Sequence, residues 1–288
     1  MKIKQIEKDF VVKEIIDLEL SENGKYHYYY MTKKNWNTLD LIKEIKKRLK
    51  VRDVGFAGLK DRNAITSQYI SVEKKINFEI KDVEFEYKGS GKKRIYMGKL
   101  IGNEFIITIR DIEEKLELPE EVLNLFGKQR FSERNDKIGK LIVQKKFKEV
   151  REELKLEVEK NDYTGAMRKY GKEKLRFYIN AYQSYLWNKL AKVSSYRILP
   201  IVGFLTEEDD YDEILEKEGV GKMQFIMREM PELCAEGSER ERVMKVKNFK
   251  VLSFGDDELN EGKKKEVVSF FLPKGSYATV VLDNLINK

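Results

Sequence analysis

Asp61 stands between two cations, Lys60 and Arg62, inside the run Gly58-Leu59-Lys60-Asp61-Arg62-Asn63-Ala64-Ile65-Thr66-Ser67-Gln68, just ahead of a strand-like stretch. Neighbouring positive charge favours the charged form of a carboxyl group. A carboxylate presented on a turn can act as a nucleophile, a metal ligand or a general base. A Lys-Asp-Arg triplet is also what a solvated surface turn looks like, so the residues around it must decide.

Little else in the chain could share that chemistry. The only histidine, His27, lies in Tyr26-His27-Tyr28-Tyr29-Tyr30. One histidine excludes a histidine zinc cluster and leaves any Ser-His-Asp triad resting wholly on it. It reads as a strand residue on a half-buried aromatic face. Cys234 is the single cysteine, which excludes an intrachain disulfide framework and a cysteine-rich metal site and points to a reducing compartment. In Glu232-Leu233-Cys234-Ala235 it reads as a small apolar packer. The run Lys88-Gly89-Ser90-Gly91-Lys92-Lys93-Arg94 has the composition of a phosphate loop, without the Walker spacing or a Ser or Thr after the lysine. A basic hairpin tip is the better reading. Glu207-Glu208-Asp209-Asp210 reads as a solvated acidic loop rather than a metal site.

Charge and hydropathy set the outer limits. The 288 residues carry 57 Lys and Arg against 50 Asp and Glu, a formal net charge of +7. That excess suits a polyanionic partner such as nucleic acid without requiring one. The 37% charged content equally suits heat adaptation or a base-composition bias. The length fits one large domain or two ordinary ones. No apolar run approaches the roughly 18 residues that suggest a membrane helix, and Met1-Lys2-Ile3-Lys4-Gln5 lacks a signal-peptide core. A soluble cytoplasmic protein is expected.

The elements that must hold the Asp61 turn are legible in outline. Residues 10–16 and 26–31 read as two strands around the turn Glu22-Asn23-Gly24. Thr38 is placed to cap a helix whose apolar face is Leu41, Ile42, Ile45 and Leu49. Residues 53–59 and 65–72 bracket Asp61 as strands, 83–87 and 95–100 suggest a hairpin, and 103–110 alternates with Phe105, Ile107 and Ile109 on one face. From Pro119 to Ser195 the pattern is helical, with Leu175, Tyr178, Ile179, Tyr182 and Leu186 as a core stripe. Residues 267–272 and 277–282 read as two closing strands around Pro273-Lys274-Gly275-Ser276. Strands, then helices, then strands predict an α+β fold: a mixed, mostly antiparallel sheet with flanking helices and a mainly helical insertion, whose last strands rejoin the first.

Four segments together resemble one family. Residues 58–68 are similar to the Gly-x-Lys-Asp-(Lys/Arg)-x-Ala-x-Thr-x-Gln signature of the TruD family of pseudouridine synthases. Asn124-Leu125-Phe126-Gly127-Lys128-Gln129-Arg130-Phe131 resembles its Asn-Tyr-Phe-Gly-x-Gln-Arg-Phe-Gly segment. Residues 180–188, with Ala181-Tyr182-Gln183-Ser184, resemble its helical Ala-Tyr-Gln-Ser segment, and residues 271–279 its terminal Leu-Pro-x-Gly-Ser-(Tyr/Phe)-Ala-Thr. Asp9-Phe10-Val11-Val12-Lys13-Glu14 fits as well. The matches keep the family's order across nearly the whole chain. Ser132, Leu125 and Lys8 depart from the pattern, where the family usually has glycine, often tyrosine, and an acidic residue, and the insertion is shorter than is common.

The resemblance implies an isomerase that detaches uracil from C1′ of a uridine in RNA and rejoins it through C5, with neither metal nor organic cofactor. The family's catalytic aspartate falls on Asp61, either attacking C1′ or taking a proton from C2′. Lys4 matches a basic residue that orients the aspartate, Phe126 an aromatic that stacks on the extruded base, and Asn124 a polar neighbour in the pocket. Lys60, Arg62, Gln129 and Arg130 are expected to bind RNA, the last two as supports or contacts. The implied domains are a catalytic domain of residues 1–135 and 246–288 and an inserted domain of residues 136–245. tRNA is the favoured partner, uridine 13 the favoured position, and a monomer the favoured state. The alternatives are another RNA position, a non-catalytic RNA-binding module of the same fold, and an unrelated carboxylate enzyme such as a nucleosidase. The last would want a second acidic partner, which no motif near Asp61 supplies.

Overall fold

A computed structural model describes the main chain of every residue except 118, 119, 208, 287 and 288. Pro119, expected to open the helical region, and Glu208 of the acidic run therefore lie outside the described residues. The architecture is α+β, in two units: Met1–Glu120 with the chain from Lys245 onward, and Glu121–Met244.

The first unit is built on strands β1 (Phe10–Ile15), β2 (Tyr26–Lys33), β3 (Gly55–Phe56), β4 (Ile65–Val72), β5 (Val83–Gly91) and β6 (Gly102–Ile112), with helix α1 (Thr38–Leu49) after β2. The second unit holds β7 (Glu121–Leu123), α2 (Asn135–Val143), α3 (Phe147–Leu154), α4 (Tyr163–Tyr170), α5 (Lys172–Val193), β8 (Ile198–Ile201), α6 (Asp212–Glu218) and β9 (Ser238–Glu241). A short β10 (Val243–Lys245) leads back to β11 (Lys247–Asp256), β12 (Lys264–Pro273) and α7 (Ala278–Ile286).

The main sheet runs in the order β11-β12-β6-β1-β4-β2-β5, with β3 alongside β4. Only the β1–β4 pair of this path is parallel, and β12 does rejoin the first strands by pairing with β6. The expected hairpin of β1 with β2 does not form, because β4 lies between them. β4 is buried along nearly its whole length, and a strand covered on both faces belongs in the middle of a sheet. Leu41, Ile42, Ile45 and Leu49 of α1 are all buried against Tyr29, Met31, Ile70 and Val72.

Four other local readings change. Residues 95–100 form no strand: Ile95 is fully buried and its N–H donates to Ser71 Oγ (3.0 Å), so its apolar signal reflects packing rather than a ladder. β5 instead pairs with β2, and Lys88–Gly91 end that strand rather than forming a hairpin tip. Residues 278–286 are a helix, with Ala278, Val281 and Leu282 buried at helical spacing; a short apolar run fits either period. α1 is capped by Asn37, whose side chain accepts from Asp40 N–H (3.1 Å), which frees Thr38 for another task.

In the second unit α5 is the central element. Leu175, Ile179, Tyr182, Leu186 and Trp187 bury themselves among Ile138, Ile142, Leu199, Phe225 and Met230. Cys234 packs against this core and His27 lies half-buried on β2, its ring 6.1 Å from that of Tyr87.

Candidate active site

The main chain around Asp61 is fixed from beneath by side chains of three elements. Gln68 on β4 donates through Nε2 to Gly58 C=O (3.1 Å). Lys60 N–H donates to Thr38 Oγ (2.9 Å), and the Thr38 hydroxyl in turn bonds Gln68 Oε1 (3.1 Å). Lys33, at the end of β2, donates from Nζ to the carbonyls of Trp36 (2.6 Å), Asp61 (2.9 Å) and, more weakly, Lys60 (3.4 Å). Lys33 is buried, and that burial pushes its pKa down to about 8; the Asp61 charge opposes the shift and Lys60 adds to it.

Lys60 does not reach outward. Its Nζ donates to Glu14 Oε2 (2.7 Å), and the two side chains are 6% and 0% exposed. Glu14 Oε1 also accepts from Tyr69 N–H (3.1 Å). A Cβ on Gly58 would come within 3.3 Å of Lys60 Nζ, so the glycine leaves room for the pair. The expectation that Lys60 binds RNA is corrected: its side chain is 6% exposed and its ammonium is paired with a buried carboxylate, away from any phosphate in solvent.

Asp61 itself is different. Its side chain is 46% exposed, and Oδ2 accepts from Lys4 Nζ at 2.8 Å. The Lys4 ammonium also lies 4.1 Å over the Phe10 ring. Arg62 is exposed, and an open cavity of about 560 Å³ is lined by Lys4, Gln5, Ile6, Glu7, Lys8 and Asn63. Lys4 has a left-handed backbone (φ 55°), which a non-glycine residue adopts only where its surroundings hold it. They do. Lys2 and Arg110 exchange main-chain hydrogen bonds (2.7 and 2.8 Å), and Gln5 and Ile6 N–H both donate to Asp9 Oδ2 (3.0 Å). Arg110 then binds Asp9 (2.9 Å) and Asp257 (2.7 Å), all three buried.

In the second unit the other expected residues gather round Phe126. One amide holds its main chain: Phe126 N–H donates to Asn188 Oδ1 (2.8 Å) and its carbonyl accepts from Asn188 Nδ2 (2.9 Å). The half-buried ring meets Trp187 edge-on (centroids 5.6 Å, 86°), and the Arg240 guanidinium lies 4.2 Å over it. Asn124 is buried, its Oδ1 accepting from Arg240 (2.7 Å) and its Nδ2 donating to Glu241 C=O (3.0 Å). The Asn124 amide, expected as a polar neighbour in the pocket, thus serves Arg240 and the main chain. Arg130 is half-buried, its guanidinium 5.9 Å from Phe126 and 5.4 Å from Phe177, with Nε donating to Ser184 Oγ (3.4 Å). Gln129 is exposed.

Glu14, Lys33, Arg240 and Asn188 were not found from sequence. Glu14 and Lys33 did leave a trace, since each occupies an inward phase of a strand, after Phe10 and Val12 and after Met31. Arg240 left none, because 116 residues separate it from Asn124. Among the described residues, no group of three or more His, Cys, Asp or Glu is arranged to hold a metal ion, and no helix is long and apolar enough to cross a membrane.

A carboxylate left open on a turn whose main chain is pinned suits an enzyme that works through a single acidic group. The family model of tRNA pseudouridine synthase D (TruD) matches residues 1–156 and 200–285. The chain belongs to this TruD family, a family of isomerases. The unmatched residues between include the Ala181-Tyr182-Gln183-Ser184 segment, where Gln183 Nε2 donates to Val202 C=O (2.6 Å) as part of the packing. A "Probable tRNA pseudouridine synthase D" of Methanosarcina acetivorans is 29% identical over 98% of this chain and 91% of its own length. That alignment runs over 405 residues, so the relative carries residues that this chain of 288 lacks. One from Pyrococcus furiosus is 40% identical over 52% of this chain and 41% of its own. The crystal structure bearing the TruD name from Methanosarcina mazei superposes with a TM-score of 0.78 at 25% identity, over 99% of this chain and 93% of that one.

Proposed function

We propose that the chain converts uridine to pseudouridine in tRNA, at uridine 13, with Asp61 as the catalytic group. The observation that carries this reading is the contrast within one turn: its main chain is tied at Gly58, Lys60 and Asp61, while the Asp61 carboxylate stays 46% exposed, bonded among the described residues to Lys4 Nζ alone at 2.8 Å. Preorganisation of this kind costs no rearrangement when the reaction begins.

In the reaction the N1–C1′ bond breaks, the uracil turns, C5 bonds to C1′, the C5 proton leaves to solvent and N1 takes up a proton. Asp61 acts at the ribose, either by attack on C1′, its bond to C1′ breaking as C5 bonds there, or by removing the C2′ proton and later returning it. Lys4 orients the carboxylate through a charge-assisted hydrogen bond. Phe126, with one face under Arg240, stacks its other face on the extruded base; such stacking is worth about 1–3 kcal/mol per base and offsets part of the cost of flipping. Arg62 and Gln129, both exposed, contact the RNA, and Arg130 supports Phe126. The reading assigns no cofactor, takes the helical unit as an inserted domain that grips RNA, and has the chain work as a monomer in the cytoplasm.

Asp61→Asn tests the assignment. Its rate of tritium release from tRNA labelled at uridine C5 is expected to fall by at least about 10²-fold, the lower range for loss of an acid–base group, with RNA affinity and melting temperature retained. Full activity in the variant defeats the assignment. A wild-type protein that binds tRNA yet releases no tritium favours the non-catalytic module. Pseudouridine mapping of tRNA from cells with and without the gene tests position 13.

A further inference from the structure

We infer that Lys33 is a positioning residue for the isomerisation, holding the catalytic carboxylate in place through the main-chain carbonyl of Asp61. The inference rests on Asp61 being the catalytic group. Lys33 is 1% exposed, yet among the described residues its ammonium pairs with no carboxylate side chain. All its recorded hydrogen bonds go to carbonyl oxygens: Trp36, just before α1, and Lys60 and Asp61 in the turn. One cation therefore ties the end of β2, the entrance to α1 and the catalytic turn to a single point.

A buried cation without a carboxylate is a poor way to stabilise a fold. Its desolvation costs more than carbonyl dipoles return, and burial lowers the Lys33 pKa accordingly. Where a fold needs only a filled space beside Met31, an apolar residue serves better. What the ammonium supplies instead is direction. The Asp61 carbonyl is two bonds from the Cα that bears the carboxylate, so fixing that oxygen at 2.9 Å from Lys33 Nζ restricts ψ of Asp61 and with it the origin of its side chain. Thr38 and Gln68 fix the turn on its upstream side, at Lys60 N–H and Gly58 C=O. Downstream of the Asp61 Cα, Lys33 Nζ holds the turn at the Asp61 C=O.

Activity and stability should then move apart. In Lys33→Met, of similar length and without charge, the single-turnover rate of tritium release is expected to fall roughly ten- to a hundredfold, the scale of a small misplacement of a reacting group. The Kd for tRNA should stay within about threefold, since the ammonium faces no solvent, and the melting temperature should be unchanged or higher. Lys33→Gln, whose amide ends about one bond short of the carbonyls, should lose rate in the same direction and decides the matter if the methionine variant does not fold. A rate unchanged in either folded variant overturns the inference. So does a lower melting temperature with full activity per folded molecule, the mark of a structural lysine, or a weakened Kd with the rate kept. If wild-type protein releases no tritium, the isomerase reading fails rather than this one.

Discussion

The floor and the face of the Asp61 turn use the same chemistry to opposite ends. On the floor, Lys60 and Glu14 meet at 2.7 Å with 6% and 0% of their side chains exposed. On the face, Lys4 and Asp61 meet at 2.8 Å with 26% and 46% exposed. The distances are nearly equal, so the difference lies in solvent. A buried pair is committed, because separating it leaves a charge that water cannot reach. An exposed pair is loosely held, worth about 0.2–1 kcal/mol, and its carboxylate can be given up to a substrate. The turn thus has one lysine that holds and one that hands over, and neighbouring positions in sequence say nothing of which is which.

Breaking the floor should have the largest effect. Lys60→Met leaves Glu14 buried beside a methyl group and is expected to cost about 3–5 kcal/mol in urea unfolding, while the double variant Glu14→Met, Lys60→Met recovers most of it. A loss below about 1 kcal/mol for the single variant would make the two pairs equivalent and remove the distinction.

The second test is the pH dependence of Lys33, the other buried lysine of the floor. Its folded pKa, about 8, lies below the usual 10.5, so the unfolded chain binds the proton more tightly. Its contribution to stability is fully present above the unfolded value and is lost as the pH falls through about 8. Between pH 8 and 10, wild-type protein should therefore gain stability relative to Lys33→Met, read as a rise of its urea midpoint relative to that of the variant. Parallel profiles would place the titration elsewhere.

The face should respond less. Lys4→Met is expected to change unfolding free energy by less than about 1 kcal/mol while lowering kcat, because its carboxylate partner loses orientation rather than burial. Smallest is Arg62→Ala, an exposed side chain: stability should stay within about 0.5 kcal/mol, and the log–log salt dependence of tRNA binding should flatten by about one unit. An unchanged salt slope would remove Arg62 from the RNA contact.

Much of the turn was legible without a structure because its signals are local. The Asp61 signature, the alternation of Phe105, Ile107 and Ile109, and the spacing of Leu41, Ile42, Ile45 and Leu49 each depend on residues a few positions apart. The misreadings share the opposite cause. Residues 95–100 and 278–282 are apolar runs too short to declare a period, and packing settled one as an irregular segment anchored by buried Ile95 and the other as a helix. The partner of Asn124, Arg240, was not legible because it lies 116 residues away.

The sequence by itself determined the family, the catalytic candidate and the course of most strands, since motif and periodicity are properties of neighbours along the chain. Only the tertiary structure decided which lysine near Asp61 is spent on the fold, that Thr38 and Gln68 brace the turn, and that Lys33 holds the Asp61 carbonyl. Those roles are set by burial and by partners 10 to 46 residues distant. The free energy of a charge depends on its surroundings far more than on its neighbours in the chain, and those surroundings exist only once β1, β2 and β4 lie together.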